Sequence, residues 1–90
     1  MREIRIRELK YDEARALLES ELNRAFMDGE MRVHVLHGIG EGILKKMTLE
    51  VTESLDYARI SPQQGMQYNP GITVIDILTA DPSLLKRYMK

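Results

Sequence analysis

Residues 33–43 read Val-His-Val-Leu-His-Gly-Ile-Gly-Glu-Gly-Ile, and the reading of this stretch decides the fold. An apolar run rich in β-branched residues leads in, and a helix-like pattern beginning at Ile43 leads out. Gly38, Gly40 and Gly42 therefore sit where a strand turns into a helix. Glycine there admits positive φ and lets a ligand approach without meeting a Cβ. The first amides of a helix have no intrahelical acceptor, and its dipole places partial positive charge at the same end. An anion, above all a phosphate, is the expected occupant. His37 stands at the lip of the turn. The pattern is not a Walker A loop, because no Gly-Lys-Ser/Thr follows. It is not a dinucleotide fingerprint either, because the spacing differs and the chain has no room for a second mononucleotide-binding half.

Working outward, residues 3–9 alternate apolar and polar with period two, as a half-buried strand does. Ile4 and Ile6 share one side, and Arg5 and Arg7 the other. Residues 12–28 switch to helical spacing, with Ala14, Leu17, Leu18, Leu22, Ala25 and Phe26 on one stripe. Asp12 and Glu13 suit the first turn, and Gly29 suits the position after the last one. Residues 31–36 form a second strand. Leu44, Met47, Val51 and Leu55 mark a second helix over 43–54, weakened slightly by Thr48 and Thr52. A short strand is expected at 56–60, a long loop at 61–71 and a strand at 72–78. Asp81-Pro82 fits an N-cap and first turn, starting a short terminal helix through Met89. The fold class is thus α/β: a two-layer sandwich ordered β-α-β-α-β-β, its four-stranded mixed sheet backed by two helices, plus the C-terminal helix. The first two strands are expected to be parallel and the last two antiparallel.

Ninety residues make one small domain. The 43% hydrophobic and 30% charged content is ordinary for a globular protein. With no cysteine, disulfides and thiolate metal sites are excluded. No apolar stretch approaches the roughly 20 residues that span a bilayer, and the N-terminal residues lack a signal-peptide pattern, so a cytoplasmic location without membrane contact is expected. The net charge of −1 argues against a strongly basic nucleic-acid protein, so any cationic surface must come from distribution. Arg2, Arg5, Arg7 and Lys10 crowd the start, Lys45 and Lys46 follow the glycine turn, and acids concentrate on the first helix.

Ile4-Arg5-Ile6-Arg7-Glu8-Leu9, Asp12-Glu13-Ala14, His37-Gly38-Ile39-Gly40-Glu41-Gly42 and Gly71-Ile72-Thr73-Val74-Ile75, in that order, resemble the small MutS-related (Smr) domain family. The family's opening strand typically reads Leu-Asp-Leu-His/Arg-Gly and its turn His-Gly-x-Gly-x-Gly. The resemblance covers residues 3–78 and implies a single domain over 1–80 followed by a helical tail, 81–90. It also implies a fold similar to the C-terminal domain of a bacterial translation initiation factor. Family members bind DNA or RNA, and several are endonucleases. His37, Gly38, Gly40 and Gly42 match the turn, and Arg7 holds the His/Arg position. Arg5 replaces the family's acid, Glu8 its glycine and Ile39 a frequent lysine. Losing the acid removes a metal ligand or general base, so binding is the first expectation. A divalent-metal-assisted endonuclease using magnesium or manganese is the second, with Glu8 or Asp12 standing in for the acid. An interaction domain without either activity is the third. Binding itself needs no cofactor.

The expected phosphate-binding set is Arg5, Arg7, His37, Gly38, Gly40, Gly42, Lys45 and Lys46, with guanidinium forks matching phosphate oxygens bidentately. The alternative for each arginine and lysine is a solvated face. His37 has the titration range of a general acid or base and is the one catalytic candidate; its other role is a hydrogen bond that pins the turn. His34 and His37 point to opposite faces of a strand, so no metal-ligating set is expected. Tyr68 in the long loop could stack on an unpaired base or pack the loop against the sheet. Met27, Met31, Met47 and Met66 read as core or rim filler. Leu84, Leu85 and Tyr88 could dock on this domain or on a second copy, and a monomer or weak homo-oligomer is expected.

Overall fold

The computed structural model describes residues 2–62 and 70–78. Its elements are β1 (Arg2–Arg5), α1 (Tyr11–Met27), β2 (Arg32–Leu36), α2 (Ile43–Glu53), β3 (Ala58–Ile60) and β4 (Ile72–Ile77). They form one four-stranded sheet in the order β1-β2-β4-β3. β1 and β2 are parallel, with Ile4 beside Val35. β4 runs antiparallel to both β2 and β3. The expected two-layer mixed sheet is therefore present. Met66, Tyr68 and the expected terminal helix lie outside the described residues.

Period-two alternation builds one wall of the core. Ile4, Val33, Val35, Ile75, Ile77 and Ala58 point to one side of the sheet, and all are buried. Against them pack Ala14, Leu18, Leu22, Ala25 and Phe26 of α1, and Met47 and Val51 of α2. Phe26 stacks on Tyr57 with ring centroids 4.4 Å apart, locking the end of α1 to the approach to β3. Thr48 and Thr52 also face inward. Their hydroxyls donate to the carbonyls of Leu44 and Thr48 at 2.8 and 2.7 Å, so neither buries an unmatched polar group. α1 closes as expected. Gly29 takes φ 75°, its N–H reaches the Phe26 carbonyl, and the Glu30 N–H reaches that of Ala25. Together these two bonds make the Schellman closure.

Four local expectations need correction. The first strand ends at Arg5, and a turn at residues 7–9 follows, although Ile6 and Leu9 still turn into the core. β3 begins only at Ala58, because Asp56 and Tyr57 lie in a turn. Leu17 is exposed, at the edge of its helical stripe. Met47 is core, whereas Met27 and Met31 lie exposed on the surface.

Arg2 does not join a basic surface. Its guanidinium meets Glu21 at 3.0 Å, Asp28 at 2.8 Å and Glu30 at 2.6 Å. It is a strut between β1 and the acidic end of α1.

Candidate functional site

The parallel pairing of β1 with β2 brings the end of one strand beside the end of the other. The N–H groups of Ile6 and Arg7 both donate to the Leu36 carbonyl, at 3.0 and 3.1 Å. The N–H groups of His37 and Gly38 both donate to the Gly71 carbonyl, at 3.1 and 3.0 Å. The glycine turn is thus held between the chain leaving β1 and the chain entering β4. Gly38 has φ 79°, and a side chain there would begin 3.5 Å from the Arg7 Cβ, so Arg7 lies against the turn. Gly42 is the N-cap of α2 with φ 82° and no side-chain cap.

The two helices begin differently. α1 carries Asp12 and Glu13 in its first turn, which offset its dipole. The first turn of α2 carries no acid, and Lys45 lies within it. The first intrahelical bond of α2 runs from the Lys46 N–H to the Gly42 carbonyl. The Ile43 and Leu44 amides lie ahead of that bond. Ile43 and Leu44 line a cleft of about 360 Å³, together with Arg7, Glu8, His37, the three glycines and Lys45, among others. A second cleft of about 370 Å³ lies on the sheet side of the turn and shares Arg7, Gly38 and Ile39 with the first.

His37 is almost fully buried, at 4% exposure. Its Nδ1 lies 2.8 Å from the Gly38 carbonyl oxygen, which can only accept, so Nδ1 carries the proton. In the neutral ring Nε2 then accepts from the Thr73 hydroxyl at 2.7 Å. Burial lowers the imidazole pKa from its ordinary value; the Gly38 carbonyl opposes this and the charge of Lys45 reinforces it. Both ring nitrogens are engaged within the protein.

Of the expected set, the structure gathers Arg7, His37, Gly38, Gly40, Gly42 and Lys45 around one cleft. Arg5 lies on the exposed sheet face beside Leu36 and lines neither cleft, and Lys46 is exposed outside them. Glu41, Ile39 and Ile43 join the site unforeseen, and Glu8, weighed only as a stand-in acid, lines it too. For Glu8 and Ile39 a signal existed: each replaces a residue typical of the family pattern. Glu8 has φ 72°, the one positive φ outside glycine among the described residues. It therefore keeps the backbone shape that a glycine would adopt freely, and adds a carboxylate to the rim.

Among the described residues, no three His, Cys, Asp or Glu side chains group closely enough to hold a metal ion. Among the described residues, the acids lining the cleft are Glu8 and Glu41. No helix among the described residues is long and apolar enough to cross a membrane.

Fold and site together define a two-layer α/β domain with a glycine-rich strand-to-helix turn. The family model of the Smr domain matches residues 4–77, and the chain belongs to that family. The crystal structure of the Smr domain of Thermus thermophilus MutS2 is similar at 24% identity and a TM-score of 0.72. The match covers 86% of this chain and 98% of that one, and it bears on the fold. No curated protein sequence matches the chain. The Smr family is associated with nucleic-acid binding and nuclease activity.

Proposed function

We propose that this domain binds nucleic acid through its phosphodiester backbone, with residues 37–43 as the seat for a phosphate and Arg7 as the clamp. The observation that carries this reading is the start of α2. A glycine-capped helix end with no acid in its first turn opens into a cleft that a guanidinium and an ammonium also line. Preorganised amides, a helix dipole and a bidentate donor converge there, and each favours a phosphate oxygen. Family membership supports the same ligand class.

In this reading His37 is a positioning residue. Its two hydrogen bonds hold the turn in shape, and its burial keeps it neutral. Lys45 supplies charge at close range, while Arg5 and Lys46 contribute at most a diffuse field.

Fluorescence anisotropy with a labelled oligonucleotide, across a salt series, tests the reading. Wild-type affinity falls as salt rises. Arg7→Ala weakens binding and lowers the log–log salt slope by about one. Arg5→Ala has a clearly smaller effect. Salt-independent binding, or equal losses in the two variants, would defeat it.

A further inference from the structure

Two clefts meet at Arg7, Gly38 and Ile39, and they differ in chemistry. The first is lined by the charged residues Arg7, Glu8, Glu41 and Lys45 as well as by Ile39, Ile43 and Leu44. The second is bounded by Leu36, Ile39 and Ile72, with Gly38 and Gly71 leaving bare backbone and Arg7 at its edge. Its volume of about 370 Å³ falls in the range of small-ligand clefts, about 300–1,000 Å³. Ile39 stands between the two with 69% of its surface exposed, and Ile43 beside the first cleft is 56% exposed. Side chains this exposed bury little of their own apolar surface in the fold.

We propose that the second cleft receives an unpaired nucleobase whose strand is anchored by its phosphate in the first, so that the domain selects unpaired nucleotides over intact duplex. The inference rests on the phosphate-binding reading. A phosphate seated on the turn brings its own or a neighbouring base within reach of Ile39. Leu36, Ile39 and Ile72 offer apolar surface to the base, and Arg7, which lines both clefts, supplies a guanidinium to stack on it or to span to the phosphate. A duplex keeps its bases paired inside the helix, so only a splayed base can enter; an aliphatic side chain at a groove edge can act as the wedge that unstacks it. Ile39 stands where the family pattern often has lysine.

The test is fluorescence anisotropy with three labelled probes of equal length: a single strand, the same strand made fully abasic, and its duplex. Each is prepared as DNA, and the intact strand and duplex also as RNA, to distinguish the two sources of unpaired base. Wild type is expected to prefer the intact single strand to the abasic strand and the duplex by about tenfold, the size of effect expected for burying part of one base. Ile39→Ala narrows that ratio to near one. Ile39→Lys also narrows it, while steepening the salt dependence. Circular dichroism of each variant checks that the fold persists. Equal wild-type affinity for intact and abasic strands, with a normal salt slope, overturns the base pocket and leaves the phosphate reading standing. A ratio unchanged in Ile39→Ala overturns the pocket as well. Failure of wild type to bind any probe overturns both.

Discussion

The His37 imidazole and the Thr73 hydroxyl meet at 2.7 Å, thirty-six positions apart in sequence, and this bond ties the glycine turn to β4. Thr73 is buried on the core side of its strand, where a hydroxyl is tolerated only if matched. Replacing it by valine preserves volume and strand preference but leaves Nε2 without its donor. Thr73→Val is expected to cost about 1–3 kcal/mol, the price of an unsatisfied buried acceptor, and to weaken oligonucleotide binding by loosening the turn. Thr73→Ser, which keeps the hydroxyl, should lose less of both. Urea unfolding and anisotropy on the same samples measure the two effects. A valine variant as stable as the serine variant would show that the bond carries no weight.

The same pair gives the domain a pH response with a fixed sign. His37 has its folded pKa lowered by burial, from an ordinary value of 6.5. Below that value the unfolded chain takes up a proton that the folded one resists, so acid favours unfolding. The contribution is complete above about pH 6.5 and is lost as pH falls through the folded pKa. Urea midpoints between about pH 8 and pH 5 should therefore decline on the acid side, and His37→Gln should flatten that decline. Identical profiles for the two proteins would remove His37 as the cause.

Gly42 caps α2 in the left-handed region, at φ 82°, and a Cβ built there meets nothing within 4 Å. Space is available, so the cost of a side chain is conformational. Gly42→Ala is expected to destabilise by about 1–2 kcal/mol. For a domain of this size each kcal/mol moves the thermal midpoint by about 4–8 °C. A D-alanine at the same position, introduced by chemical synthesis, prefers positive φ and should restore or exceed wild-type stability. If L- and D-alanine behave alike, the strain argument fails.

Most of the fold was legible because it follows from two periods and one turn. The alternation at Ile4, Val33, Val35, Ile75 and Ile77 and the stripe at Ala14, Leu18, Leu22, Ala25 and Phe26 give the two layers directly, and the glycines mark where strand becomes helix. What was hidden depends on contacts distant in sequence. Alternation places Arg5 and Arg7 on one side as equals, but the turn after β1 carries only Arg7 to the cleft. Arg2 reads as part of a basic cluster until the chain folds its guanidinium onto Glu21, Asp28 and Glu30. Thr48 and Thr52 look like weak helix formers, yet they line the core because each hydroxyl finds a carbonyl one turn back. Nothing in the identity of Glu8 announces a positive φ. Only the comparison with a pattern that has glycine there gives the clue.

That position yields the sharpest test of how strain and charge are divided at the site. The Glu8 side chain is 83% exposed, and its contact with Arg7 spans 3.9 Å, so the pair adds little to stability. The backbone, at φ 72°, carries the penalty of a left-handed residue with a Cβ. Glu8→Gly removes that penalty at some cost in unfolded-chain entropy, for a net gain of about 1 kcal/mol. The urea midpoint should rise with the slope unchanged. The same change deletes a negative charge from the rim of the cleft where a phosphate is proposed to sit, so affinity for an oligonucleotide should rise, most visibly at low salt. Glu8→Gln separates the two effects: it keeps the strain and removes the charge, and should tighten binding without adding stability. If Glu8→Gly gained no stability, the turn would not be strained. If Glu8→Gln bound no more tightly than wild type, the carboxylate would not face the ligand.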